Sequence, residues 1–91
     1  MINSAFAALH FSGVCINIEG GANVYNEEAT KNACAAYQTR NTGEKQWDTC
    51  PDCEMTTIGG VELCHSGEQH IGGDELYYYC QQAGAADSMA D

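Results

Sequence analysis

The chain has very little positive charge. Lys31, Arg40 and Lys45 are its only lysine and arginine residues, against 13 acidic residues, and the formal net charge is −10. From Gln46 to Asp91 there is no lysine or arginine at all. A surface of that sign repels phosphate backbones and anionic headgroups. It excludes nucleic-acid binding, docking to a membrane surface and a cationic, membrane-disrupting role. Long apolar runs are also missing: none approaches the roughly 18 residues of a membrane-crossing helix. No Asn-x-Ser/Thr sequon occurs, so N-glycosylation is not expected. There are no internal repeats, and the scattered acids form no Asp-rich calcium loop. Ile2 to Phe11 resembles a signal h-region only faintly, for it lacks a basic n-region and is interrupted by His10. The chain therefore reads as a mature protein whose signal peptide has been removed, Met1 then being an expression start.

What the chain does have is cysteine: Cys15, Cys34, Cys50, Cys53, Cys64 and Cys80. A domain of this size buries only about 60% of its unfolded surface, which leaves its core marginal. An even number of cysteines spread through a small domain points to a disulfide framework made outside the reducing cytoplasm. Each bridge contributes about 2–4 kcal/mol. All six cysteines are expected to pair, though spacing does not choose among the pairings. Cys50 and Cys53 flank a Pro-Asp turn and are expected to reach two different partners.

Three other chemistries use residues present in the chain: structural zinc, a redox dithiol and Ser-His-Asp hydrolysis. An intracellular zinc module would use Cys50, Cys53 and Cys64 with His65 or Cys80. Structural zinc favours a short knuckle at each end of the site, and the adjacent Cys64-His65 pair would point opposite ways on a strand. A redox dithiol at Cys50-Pro51-Asp52-Cys53 needs a following helix, and a hairpin follows instead. Ser66, His65, His70 and Asp74 are close in sequence, but nothing imposes catalytic geometry on them. The chain is therefore read as a non-enzyme with no cofactor and no metal.

The local pattern indicates one domain over 1–91, with an ordered core near 5–82 and a flexible tail over 83–91. Phe6–Phe11 is ambiguous between strand and helix. Val14, Ile16 and Ile18 alternate with Cys15 and Asn17, a strand pattern over 14–19 ended by Gly20-Gly21. Asn26 is an N-cap for a helix over 27–40, with Glu27 and Glu28 in its first turn and Ala29, Ala33, Ala36 and Tyr37 on one face. Gly59-Gly60 joins strands 54–58 and 61–65 as a hairpin, with Ile58 facing Val61 and Thr56 facing Leu63 on an apolar side. Tyr77-Tyr78-Tyr79 favours a strand over 75–80, with a short helix starting near Asp74 as the other option. The fold class is α+β: a small disulfide-rich domain with one main helix on a small antiparallel sheet.

Aromatic residues are enriched where partners dock. Trp47, His70, Tyr77, Tyr78 and Tyr79 are accordingly the candidate partner surface. The expected partner is a protein, with carbohydrate as another ligand class, and the chain is expected to be a monomer.

The order of features resembles small secreted cysteine-rich proteins of filamentous fungi, a class that includes plant-pathogen effectors. The likeness rests on Ala29-Thr30 and Ala33-Cys34 in a helix, then Trp47, Cys50-Pro51-Asp52-Cys53, Cys64-His65-Ser66, His70-Ile71-Gly72-Gly73-Asp74-Glu75 and Tyr78-Tyr79-Cys80. The resemblance implies secretion, no enzymatic activity and interaction with a host or a competing microbe. It also implies a small α+β fold, in some members similar to the KP6 killer-toxin sandwich of two helices on a four-stranded sheet. The function expected is that of a secreted effector binding its partner from a rigid scaffold. A toxin, an inhibitor or a carbohydrate-binding module would use the same scaffold.

Overall fold

The computed structural model describes residues 9–91. Half of the ambiguous Phe6–Phe11 stretch, residues 6–8, lies outside the described residues; in the other half Leu9–His10 is strand. The elements are β1 (Leu9–His10), β2 (Ser12–Glu19), β3 (Ala22–Tyr25), α1 (Glu27–Gln38), β4 (Glu54–Ile58), β5 (Val61–His65), β6 (Ile71–Gly72), α2 (Gly73–Gln82) and β7 (Asp87–Ala90), with a 3-10 turn at Gln46–Asp48. The architecture is α+β. β2 is the organising strand: it pairs antiparallel with β3, β5 and β7, and β5 pairs with β4. β1 and β6 form a separate two-stranded ribbon.

Glycine pairs turn both hairpins. Gly20 and Gly21 have φ of 58° and 82°, and Gly59 and Gly60 have φ of 60° and 82°. This left-handed pair matches the twist of the flanking strands, and glycine adopts it without steric cost. The β4–β5 register is the expected one, with Ile58 opposite Val61, Thr56 opposite Leu63 and Met55 opposite Cys64.

α1 begins where its cap predicts: the Asn26 side chain accepts from the Ala29 N–H at 2.9 Å, and Lys31 pairs with Glu27 at 3.0 Å. Its buried face is Ala29, Thr30, Ala33, Cys34 and Tyr37. Thr30 joins this helix to the sheet, because its hydroxyl accepts from the Cys15 N–H at 2.8 Å and donates to the Asn26 carbonyl at 2.7 Å. The helix stops at Gln38, so Arg40 lies beyond its end.

Three expectations are corrected. The 75–80 segment is helix, not strand: Leu76, Tyr79, Cys80 and Ala83 repeat at i, i+3, i+4 and i+7, and all four pack toward the core. Asp74 and Glu75 sit in the first turn, and Gly84, with φ of 95°, follows the last. The segment 83–91, expected to be a loose tail, supplies β7, whose Met89 pairs with Val14 and Asp87 with Ile16. Cys50 and Cys53 do not reach different partners; they bond to each other. The N–H of Cys53 donates to the Cys50 carbonyl at 3.0 Å, so the Pro-Asp turn folds back on itself and brings the two sulfurs together.

The other disulfides are Cys15–Cys80 and Cys34–Cys64, and no cysteine is free. One ties α2 to β2, the other α1 to β5. Both helices therefore lie on the sheet face carrying Cys15 and Cys64. The core between them is Cys15, Ala29, Ala33, Cys34, Tyr37, Cys50, Cys53, Cys64, Ile71, Leu76, Cys80 and Ala85. Half of these residues are cysteines, so sulfur supplies both the staples and much of the apolar filling. Gly13 permits the close approach of α2, since a Cβ there would lie 2.3 Å from Leu76 Cδ2.

Side chains alternate across a sheet. Val14, Ile16 and Ile18 of β2 therefore point away from the helices. So do Thr56, Ile58, Val61 and Leu63 of the hairpin. The apolar side of the hairpin is thus the outer one, and the side bearing Met55 and Cys64 faces the core.

Candidate functional site

The aromatic residues singled out in the sequence gather around Tyr37, but not all on one surface. Tyr37 leaves α1 fully buried. Its hydroxyl lies 2.9 Å from the Trp47 carbonyl and 3.0 Å from the His70 carbonyl, and accepts from the Gly72 N–H at 3.1 Å. One phenol thus fixes the 3-10 turn, the loop before β6 and the start of α2. Burial pushes its pKa up to about 12, against the lowering effect of the Gly72 N–H. His70 is held by its ring Nδ1, 2.7 Å from the Gln46 carbonyl. A carbonyl only accepts, which assigns the proton to Nδ1.

Arg40 stands beside Tyr37. Its guanidinium carbon is 5.9 Å from the Tyr37 ring centroid and 5.7 Å from that of Tyr79, within cation–π range of both. The Tyr37 and Tyr79 rings are 5.2 Å apart, and Tyr78 meets Tyr79 edge-on at 5.0 Å. Asp48 closes the far side: it accepts from Thr42 at 2.7 Å and from the Lys45 N–H at 3.0 Å, and lies 3.7 Å from Arg40. The Thr42 hydroxyl, the Lys45 N–H and the Arg40 charge hold its carboxyl below the usual carboxylate range, against a smaller opposing effect of burial.

Outside this aromatic stack lies an open groove of about 380 Å³ lined by Arg40, Thr42, Asp74, Glu75, Tyr78 and Tyr79. It offers one guanidinium, two carboxylates, a hydroxyl and two tyrosine rings. Tyr78 is 52% exposed and Tyr77 40% exposed on the neighbouring helix surface. Of the five predicted partner residues, Tyr78 and Tyr79 line the groove and Tyr77 sits beside it. Trp47 and His70 do not line it; their backbone carbonyls meet the buried Tyr37 hydroxyl. Arg40, Thr42 and Glu75 were not among the candidate residues singled out in the sequence, and Asp74 was a candidate there only beside Ser66, His65 and His70. A helical reading of 73–82 would have brought Asp74, Glu75 and Tyr78 onto adjacent turns, because residues three and four apart are neighbours on a helix.

The zinc alternative does not hold. Its cysteines are all bonded to other cysteines, and His65 points to the opposite sheet face from Cys64, where its Nδ1 lies 2.8 Å from the Ser12 hydroxyl. Ser66, the serine near His65, His70 and Asp74 in sequence, is a buried loop pin. It donates to Asp52 at 2.8 Å and accepts from the His70 N–H at 2.9 Å.

The family comparison fits this disulfide-stapled scaffold. A family model described as biotrophy-associated secreted protein 4 matches residues 8–88. The chain belongs to that family. Biotrophy-associated secreted proteins of this family are secreted fungal effectors, which agrees with the pairing of all six cysteines. No curated protein and no solved structure matches the chain.

Proposed function

We propose that this family member is a non-enzymatic effector that acts outside the fungal cell by binding a protein of a host or a competing microbe. The observation carrying this reading is the covalent anchoring of both helices to one sheet, which presents Tyr77 and Tyr78 from a helix tethered to its support. Tyrosine offers large contact area at low entropy cost, and a rigid scaffold loses little further freedom on binding. The non-enzymatic part of this reading is supported by the structural hydrogen bonds that occupy Ser66 and His70.

The test is cross-linking of the oxidised protein in host extracellular fluid, compared with a Tyr77→Ser/Tyr78→Ser variant of unchanged disulfide pattern. A discrete adduct formed by the parent and lost in the variant supports the reading. Equal adducts from both proteins, or turnover of extracellular substrates by the parent, would contradict it.

A carbohydrate ligand is the second reading, favoured by the groove itself. A sugar ring can lie on Tyr78 while its hydroxyls meet Arg40, Asp74 and Glu75. Titration of the labelled protein with chitin and glucan oligomers tests it, with shifts at Tyr78 and Glu75 expected; an unchanged spectrum removes the carbohydrate reading.

A further inference from the structure

Among the described residues, the sheet face away from the helices is apolar at its centre and carries no lysine or arginine. Ile18, Tyr25, Ile58, Val61 and Met89 are between 37% and 54% exposed. Single exposed apolar residues need no explanation, but these five share one face. Strand alternation and register place them there: Ile16 pairs with Tyr25, Val14 with Met89 and Ile58 with Val61. Ile16, buried on this same side, lies outside the core cluster under the helices. Tyr25 is fixed across the face, its hydroxyl donating to the Glu62 carbonyl at 2.5 Å. A shared apolar face of this kind marks a contact surface.

Charge determines what can cover it. β2, β3, β4, β5 and β7 contain Glu19, Glu54, Glu62 and Asp87 but no lysine or arginine. Glu54 and Asp87 lie on the helix-free face itself, opposite His65 and Ile16. The three cations are elsewhere: Lys31 is paired on α1, Arg40 is among the tyrosines, and Lys45 follows in the loop. A second copy, also at −10, would bring acid against acid. The complementary occupant is apolar along one side and basic at its edges.

We infer that the helix-free sheet face, centred on Ile18, Tyr25, Ile58, Val61 and Met89, is a docking surface for a basic amphipathic segment of a partner protein. This deepens the partner-binding reading but uses a surface separate from the tyrosine groove, with the sheet between them.

The test is titration of the isotope-labelled, oxidised protein with three designed peptides: Leu/Lys amphipathic, Leu/Glu amphipathic, and Ser/Lys of the same charge as the first. The inference predicts amide shifts confined to β2, β3, the β4–β5 hairpin and β7 with the Leu/Lys peptide, and none with the Leu/Glu peptide. Binding of the Ser/Lys peptide should be at least about tenfold weaker. Ile58→Ser/Val61→Ser, at the exposed hairpin end, should weaken the Leu/Lys complex by about tenfold with the disulfide map unchanged. Val61→Thr, a smaller change at one of these positions, should lower affinity in the same direction if the double variant misfolds. Equal binding of the Ser/Lys peptide would reduce the face to nonspecific charge and overturn the inference. Shifts centred on Tyr77 and Tyr78 would move docking to the other surface, and concentration-dependent dimerisation through this face would make the occupant a second copy; either overturns it. Tyr77→Ser/Tyr78→Ser should leave this complex intact, so failure here and failure of the tyrosine-based reading are distinguishable.

Discussion

The sulfur of Cys53 lies within 4.8 Å of the sulfur of Cys64, although Cys53 is bonded to Cys50 and Cys64 to Cys34. Cys34 completes the same buried group. Two disulfides therefore meet in one cluster, and a thiolate freed at Cys53 would face an intact disulfide. Cys50→Ser creates that situation. Peptide mapping of the variant after folding above the usual thiol pKa should find Cys53 bonded to Cys34 or Cys64 in part of the sample. Recovery of Cys53 only as a free thiol would show that the contact does not permit exchange.

The disulfides differ in the loops they close. Cys15 and Cys80 are separated by 65 positions, Cys50 and Cys53 by three. On chain-entropy grounds, replacing Cys15 and Cys80 together by alanine should cost about 4 kcal/mol, and replacing Cys50 and Cys53 about 2 kcal/mol. Denaturant unfolding checks the order; a larger loss from the short loop would show that native-state packing dominates.

Tyr37→Phe removes a hydroxyl that serves the Gly72 N–H and two carbonyls. Leaving those groups without a partner should cost about 1–3 kcal/mol. The pH dependence has a definite sign. The phenol's value rises from 10.0 to about 12 on folding, so the folded state holds this proton more tightly. The associated stability is complete below pH 10.0 and is lost as pH rises through about 12. Chemical unfolding across that window should show the parent losing stability, with the loss reduced in Tyr37→Phe. Parallel curves for the two proteins would contradict the assignment.

Asp52 works at the opposite end of the scale. Burial raises its pKa, but hydrogen bonds from Ser66 and from the Glu68 N–H outweigh that effect and lower it below 3.8. Its contribution is present above pH 3.8 and is lost as pH falls through the lowered folded value. Asp52→Asn should weaken the 66–70 loop near neutral pH and flatten the acid limb of the unfolding profile. Hydrogen exchange at Glu68 and His70 measures the first effect directly.

The strongest sequence signals were local. Asn26 and the acids after it marked the start of α1, and Gly59-Gly60 set the β4–β5 register residue by residue. The pairing of all six cysteines followed from their number and the small domain. Which sulfurs met did not, because partners such as Cys15 and Cys80 are brought together only by the packing of α2 on β2. Three adjacent tyrosines favoured strand on propensity, but burial of Leu76 and Cys80 four residues apart selected helix. β7 was obscured by a composition of small and polar residues, and it is recruited by the open edge of β2. The groove was only half legible, since Arg40 and Thr42 lie far in sequence from Asp74 and Glu75. The hairpin showed which residues share a face, but which face meets the helices depends on Cys64 reaching Cys34.

The most direct test of the central claim is the disulfide map of the native secreted protein. It is obtained by proteolysis without reduction, followed by mass spectrometry of the linked peptides. The account predicts Cys15–Cys80, Cys34–Cys64 and Cys50–Cys53 as the sole linkages. Free thiols, or a native map joining Cys50 and Cys53 to separate partners, would contradict it.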